Sequence, residues 1–252
     1  PEFTPTDLNK LAIFQATGSG KTLIMHHHLL QFQHYMATYP AKARELGKVL
    51  LISPNEGLSQ QHLDEFRLSG IPARRFNPKN QTAIDYGRSF EVQVIESTKL
   101  GEQSLDKTVS YTSLLSNNIL LVDEGHKDLG GTTRRNMRTA LAENGFTFEY
   151  SATFSQAIKA ASGKDKDILL HEYARCILFD YSYKYFHGDG YGKDFTILNL
   201  ENDNDIDARN KYMLGSLLLF YQQLKIHEKF PNEVREFNLE KPLMLFVGGN
   251  VN

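Results

Sequence analysis

Two short stretches carry residue types whose spacing suits phosphate chemistry. The first is Gln15-Ala16-Thr17-Gly18-Ser19-Gly20-Lys21-Thr22. Gly18 and Gly20 let the backbone turn tightly, so that its N–H groups converge on phosphate oxygens. A helix opening at Lys21 adds unpaired N–H donors and a partial positive charge at its start. Lys21 has the reach and charge for β- and γ-phosphates, and the Thr22 hydroxyl is a ligand for Mg²⁺. Thr17, Gly18, Ser19, Gly20, Lys21 and Thr22 are therefore the candidate triphosphate-binding residues. Gln15 departs from the general G-x-x-x-x-G-K-[ST] pattern, because it stands where that pattern has its first glycine. A Gly/Ser-rich turn before a helix is the alternative reading.

The second stretch, Asn118-Ile119-Leu120-Leu121-Val122-Asp123-Glu124-Gly125-His126, is an apolar run ending in two carboxylates. Asp123 can hold Mg²⁺ through water, and Glu124 can orient and deprotonate an attacking water. Two acids opening a solvated loop are the plain alternative. Pairing with the glycine loop favours the chemical reading, since open α/β sheets take ligands at the carboxyl ends of their strands.

Such residues need strands to deliver them, and the chain supplies an alternating series. Leu11–Phe14 reads as a strand, and Lys21 to Tyr39 as a helix. Lys48 to Pro54 is a strand and Gly57 to Arg67 a helix. Val92–Ile95 and Ile119–Val122 are strands, Arg134 to Asn144 a helix, and Phe146 to Thr153 a further strand. The alternation predicts a parallel sheet with helices on both faces. Further on come an aromatic cluster, Phe179 to Phe186, and a glycine-rich turn, His187 to Gly192. A strand at Phe195–Leu200, a helix from Ile206 to Phe230 and a buried strand at Pro242–Gly249 are expected after them.

Composition fits a packed α/β protein of 252 residues, with 40% hydrophobic and 23% charged residues. The single cysteine, Cys176, excludes an intramolecular disulfide and reads as a core residue. No apolar run reaches membrane-spanning length and no secretory signal precedes the loop, so a cytoplasmic, membrane-free protein is expected. With a net charge of −2, any nucleic-acid contact must use a local strip of the surface.

In order, Ala16–Thr22, Val122-Asp123-Glu124-Gly125-His126 and Ser151-Ala152-Thr153 resemble motifs I, II and III of superfamily 2 DEAD/DEAH-box helicases and translocases. That superfamily often lacks the first glycine. Ser53-Pro54-Asn55 resembles its motif Ia, which touches the nucleic-acid backbone. The DEGH form followed by Lys127, together with Phe146 to Phe154 and the aromatic segment before Gly188-Asp189-Gly190, most resembles the ATPase part of type III restriction enzyme Res subunits and related bacterial defence proteins.

The resemblance implies a RecA-like fold: a first ATP-binding domain over residues 1–175, then a connecting segment and the beginning of a second, cut-short RecA-like domain over 176–252. It implies ATP and Mg²⁺ as cofactors, with Lys21, Asp123 and Glu124 catalytic and Thr22 and Asp123 holding the metal. His126, Ser151 and Thr153 would couple ATP state to nucleic-acid grip, and Ser53, Pro54 and Asn55 would contact nucleic acid. The implied activity is a DNA-dependent ATPase of restriction or phage-defence type. It would act on double-stranded DNA through the phosphate backbone, alongside a methyltransferase/specificity subunit. An RNA helicase core, or a nucleotide-gated nucleic-acid-binding module without turnover, remains open. The family draws transition-state arginines from its second domain, and no motif carrying them follows Val247, so these residues alone are expected to hydrolyse ATP very slowly.

Three further features invite weaker readings. His26-His27-His28 point different ways on a helix and cannot converge on one ion. Arg134, Arg135 and Arg138 could touch DNA phosphates or form a solvated helix face. The aromatic cluster from Phe179 could stack bases or pack in a core.

Overall fold

The structure, a computed structural model, describes residues 3–77, 90–104, 108–128, 132–192 and 205–247. Strand β1 (Lys10–Gln15) leads into the glycine loop, followed by α1 (Lys21–Thr38) and a short α2 (Pro40–Ala43). Next come β2 (Val49–Ser53), α3 (Glu56–Leu68), β3 (Ala73–Arg75) and β4 (Val92–Glu96). Two minimal strands, β5 (Leu100–Gly101) and β6 (Val109–Ser110), pair with each other in a separate small sheet. The acid-bearing β7 (Ile119–Asp123) precedes α4 (Thr132–Leu141) and β8 (Phe146–Ser151). Then α5 (Phe154–Ala160), α6 (Gly163–Cys176), β9 (Ile177–Tyr181) and α7 (Tyr183–Gly188) complete this unit.

Seven strands form one sheet in the order β3-β4-β2-β7-β8-β1-β9, and every pairing is parallel. The central strands are buried on both faces, which is why β2 and β7 are continuous apolar runs rather than alternating ones. Alternate residues serve opposite faces. Ile13, Leu51, Val94 and Leu121 pack with Met25 and Leu29 of α1 and Phe66 of α3. On the other face Leu50, Ile52, Leu120 and Val122 meet Met137 and Leu141 of α4. There too Ala12 and Phe14 meet Phe154 of α5 and Leu169, Tyr173 and Cys176 of α6. This is the expected RecA-like α/β layering.

The chain leaves β1 for β2, beyond β8 and β7, and later leaves β8 for β9 on the far side of β1. The carboxyl ends of β7, β8 and β1 therefore sit side by side where the winding changes direction, the usual ligand position in open sheets. Because β9 pairs with β1, the first compact unit continues past residue 175, to Lys193.

The second unit, Asp194–Asn252, contains α8 (Ile206–Lys229) and α9 (Pro231–Glu236). Asp205 caps α8 by accepting from the N–H groups of Asp207 and Ala208, which favours a helix start. The strand expected at Pro242–Gly249 does not form over Pro242–Val247, and Gly248 and Gly249 lie outside the described residues. An apolar run becomes a strand only beside another strand, and among the described residues of this unit none is available. The strand expected at Phe195–Leu200 also falls outside the described residues.

Candidate functional site

The glycine loop is held from within. Gln15, 4% exposed, donates from Nε2 to the Ser19 carbonyl at 2.8 Å. Ser19 Oγ donates back to the Ala16 carbonyl at 2.6 Å. The Ala16 N–H reaches the Tyr181 carbonyl at the end of β9 (2.9 Å), tying the loop to the sheet edge. The residue that replaces the pattern's first glycine thus laces the loop with its side chain. Gly18 and Gly20 take φ of 81° and 92°, a region where a side chain is strained. Gly20 is also the N-cap of α1 and brings no side chain to the first helical amides, which leaves them for an anion.

The acid loop is held from outside. Asp123 Oδ2 lies 3.0 Å from His62 Nε2, and Oδ1 accepts the Glu124 N–H at 3.0 Å. Burial works to raise the Asp123 carboxyl, yet the bond and charge of His62, with help from Lys21, hold it below its ordinary value. An ionised carboxylate only accepts, so His62 Nε2 carries the proton in this contact. Glu124 has φ of 52°, a left-handed conformation that costs a non-glycine residue about 1–3 kcal/mol. Its Oε1 lies 3.9 Å from Lys21 Nζ and its Oε2 3.3 Å from His126 Nδ1. His126 Nδ1 lies 2.8 Å from Ser151 Oγ, which accepts the Thr153 N–H at 3.0 Å. Glu124, His126, Ser151 and Thr153 therefore form one connected line from the end of β7 to the end of β8, with Lys21 standing 3.9 Å from its head.

The donors fit the expected cation. A carboxylate kept ionised and the hydroxyl of Thr22, both oxygen, suit Mg²⁺, which binds few protein ligands and retains water. The 3.9 Å between Lys21 and Glu124 is loose for an ion pair, which leaves the ammonium able to turn to a phosphate.

Ser53, Pro54 and Asn55 sit at the carboxyl end of β2, apart from this line. The Ser53 hydroxyl is turned inward to Ser59 Oγ at 2.5 Å, and Asn55 caps α3 by accepting the Leu58 N–H at 2.9 Å. Sequence reasoning missed His62. Its signal was the stripe Ser59, His62, Phe66, which marks the buried face of α3. The basic trio divides. Arg138 is 4% exposed and joins neither DNA-facing surface nor solvated face, while Arg135 lies 3.6 Å from Asp165. His26 and His28 turn to separate partners, Ser69 Oγ at 2.8 Å and the Tyr150 hydroxyl at 2.9 Å. Burial pushes the Cys176 thiol up to about 12, as befits a core residue. The cluster after Phe179 packs ring on ring, Tyr181 against Phe186 at 6.0 Å, with Leu178 and Tyr191 exposed beside it. No helix among the described residues is long and apolar enough to cross a membrane.

Comparisons with known proteins bear on this geometry. Among solved structures, the chain is similar to the Pyrococcus furiosus Hef helicase domain, at 19% identity over 67% of this chain and 34% of that one, TM-score 0.39. It is also similar to Arterivirus nonstructural protein 10 (helicase), at 16% identity over 58% and 28%, TM-score 0.30. The chain thus spans about a third of the length of these structures, and likeness of this degree bears on neither substrate nor partner. No curated protein matches. Residues 4–156, which hold the glycine loop, the acid loop and Ser151-Ala152-Thr153, match the family model for the type III restriction enzyme, res subunit. The chain therefore belongs to the type III restriction enzyme res-subunit family and carries its helicase-type ATPase core.

Proposed function

We propose that this chain binds Mg·ATP at the Gly18–Thr22 loop and supplies the hydrolytic half of a DNA-directed translocase of restriction or phage-defence type. The approach of Lys21, at the start of α1, to Glu124, which follows Asp123 at the end of β7, carries the reading. The backbone of the loop and the Lys21 ammonium hold the phosphates. Asp123 and Thr22 would hold Mg²⁺, which would neutralise the charge that develops on the phosphates. Glu124 takes the proton of the attacking water. His126 and Ser151 register that chemistry at the end of β8, and Thr153 opens α5 from there.

In this reading the second unit, residues 194–252, leads toward a second RecA-like domain, whose arginines complete the site. Double-stranded DNA is gripped by its phosphates, near Ser53-Pro54-Asn55 at the end of β2, and a methyltransferase/specificity subunit selects the sequence. Since the Ser53 hydroxyl faces inward, contact there falls to the backbone and to exposed Asn55. Family membership supports the DNA assignment.

The test is phosphate release by the full-length protein with no nucleic acid, duplex DNA, single-stranded DNA or RNA. Stimulation is expected with duplex DNA and should weaken as salt rises. Stimulation by RNA alone would replace the reading with an RNA helicase. Tight nucleotide binding without turnover under any condition would replace it with a nucleotide-gated binding module.

A further inference from the structure

Beneath the acid loop lies a buried charge cluster that the chemistry above leaves unused. Glu149 on β8 is fully buried. Its Oε1 lies 3.1 Å from Lys10 Nζ of β1 and 3.6 Å from Arg138 Nη1 of α4. Its Oε2 accepts from the Tyr173 hydroxyl of α6 at 2.5 Å, and Lys10 also pairs with Glu172. Burial works to raise the Glu149 carboxyl, but Lys10 and Arg138 hold it below its ordinary value. Charges this deep are tolerated only when paired, and such a cluster is weak evidence for stability by itself.

A bond from the cluster reaches the site. Arg138 Nη1 donates to the Gly125 carbonyl at 3.2 Å. Gly125 sits directly on Glu149: a Cβ there would meet Glu149 Oε2 at 3.2 Å and Phe154 at 3.5 Å. The preceding residue is Glu124, at φ 52°. A non-glycine residue keeps that conformation only where its surroundings impose it. An imposed turn, a close approach and a charged grip on the carbonyl thus fall on two successive residues. Apolar groups of equal volume could fill the same space, but they could not donate to the Gly125 carbonyl.

We propose that Arg138 is a positioning residue for Glu124: anchored on Glu149, it grips the Gly125 carbonyl and fixes the turn that aims the Glu124 carboxylate toward Lys21. The inference rests on the reading of Glu124 as the base. The acid loop is then braced jointly from β1, β8, α4 and α6.

The experiment uses the full-length protein, with Arg138→Met and Arg138→Lys made alone and in a Glu124→Gln background. Single-turnover ATP hydrolysis, Mg·ADP affinity and melting temperature are measured on each. Misaiming a reacting group costs about tenfold to a hundredfold. Arg138→Met should therefore slow hydrolysis by about that factor, with Mg·ADP affinity within about twofold. Arg138→Lys keeps the charge against Glu149 without the planar fork and should fall between it and the unmodified protein. In the Glu124→Gln background the substitutions should cost nothing further, because a residue acting through Glu124 has nothing left to act on. Two results overturn the proposal: near-normal hydrolysis by a folded Arg138→Met, or losses that multiply in the double variant. If Arg138→Met does not fold, Arg138→Lys faces the same two tests. Near-normal hydrolysis by Glu124→Gln alone would overturn the base assignment itself, and the proposal with it.

Discussion

The glycine loop after β1 and the acid loop after β7, with β8 between those strands, are built in opposite ways. The glycine loop's side-chain bonds close on itself, Gln15 to Ser19 and Ser19 to Ala16, with two glycines at positive φ and a backbone tie from Ala16 to Tyr181 of β9. The acid loop borrows its support from distant residues: His62 on Asp123, Arg138 on Gly125, Glu149 beneath Gly125 and Ser151 on His126. A self-closed loop can receive phosphates in a fixed cradle. A loop braced from α3, α4 and β8 can respond to what those elements do. Binding should therefore depend on local residues, and hydrolysis on remote ones.

The largest expected effect tests the remote support. Glu149→Gln leaves Lys10 and Arg138 buried against a neutral group, which costs about 3–5 kcal/mol of stability. The folded carboxyl lies below its ordinary value of 4.5, so its contribution is complete above that pH. It is lost as pH falls through the folded value. Chemical denaturation should show the full gap to the unmodified protein at pH 7 and a narrowing gap in acid. A gap independent of pH would mean that Glu149 is not ionised in the fold.

Next in size is Lys21→Ala. Losing a charge-assisted contact to phosphate costs about 1.5–3 kcal/mol, or roughly ten- to a hundredfold in Mg·ADP affinity by calorimetry. Unchanged affinity would remove the glycine loop from the account. Gly20→Ala forces a side chain into left-handed backbone at a cost of about 1–2 kcal/mol. It should weaken nucleotide binding while leaving the contact between His62 and Asp123 intact. Gln15→Leu is the smallest: one internal hydrogen bond, about 1 kcal/mol, read as a few-fold loss of nucleotide affinity. If Gln15→Leu instead impaired only hydrolysis, the division between the two loops would fail.

The same division explains what could be read from the chain. The glycine loop was legible because its geometry is encoded in eight consecutive residues. The parallel sheet was legible because β2 and β7 are apolar throughout. β3 was missed because three residues with Arg74 and Arg75 do not look like a strand until β4 lies beside them. α6 opens on Gly163-Lys164-Asp165-Lys166-Asp167, and those charges hide the stripe Leu169, Tyr173, Cys176 that packs on the sheet. Arg138 read as part of a basic surface because its carboxylate, Glu149, is hidden between Phe148 and Tyr150 in another strand. The strand expected at Pro242 did not form over Pro242–Val247 for the reverse reason: the composition was right, and among the described residues of that unit no strand lies beside it.

The most direct test is Glu124→Gln in the full-length protein, titrated with Mg·ATP and followed through a single turnover. An amide cannot take the proton of water, so binding should stay within about twofold while hydrolysis falls by about 10²–10⁴. Hydrolysis at the rate of the unmodified protein would contradict the account, because the acid loop would then be carrying no chemistry.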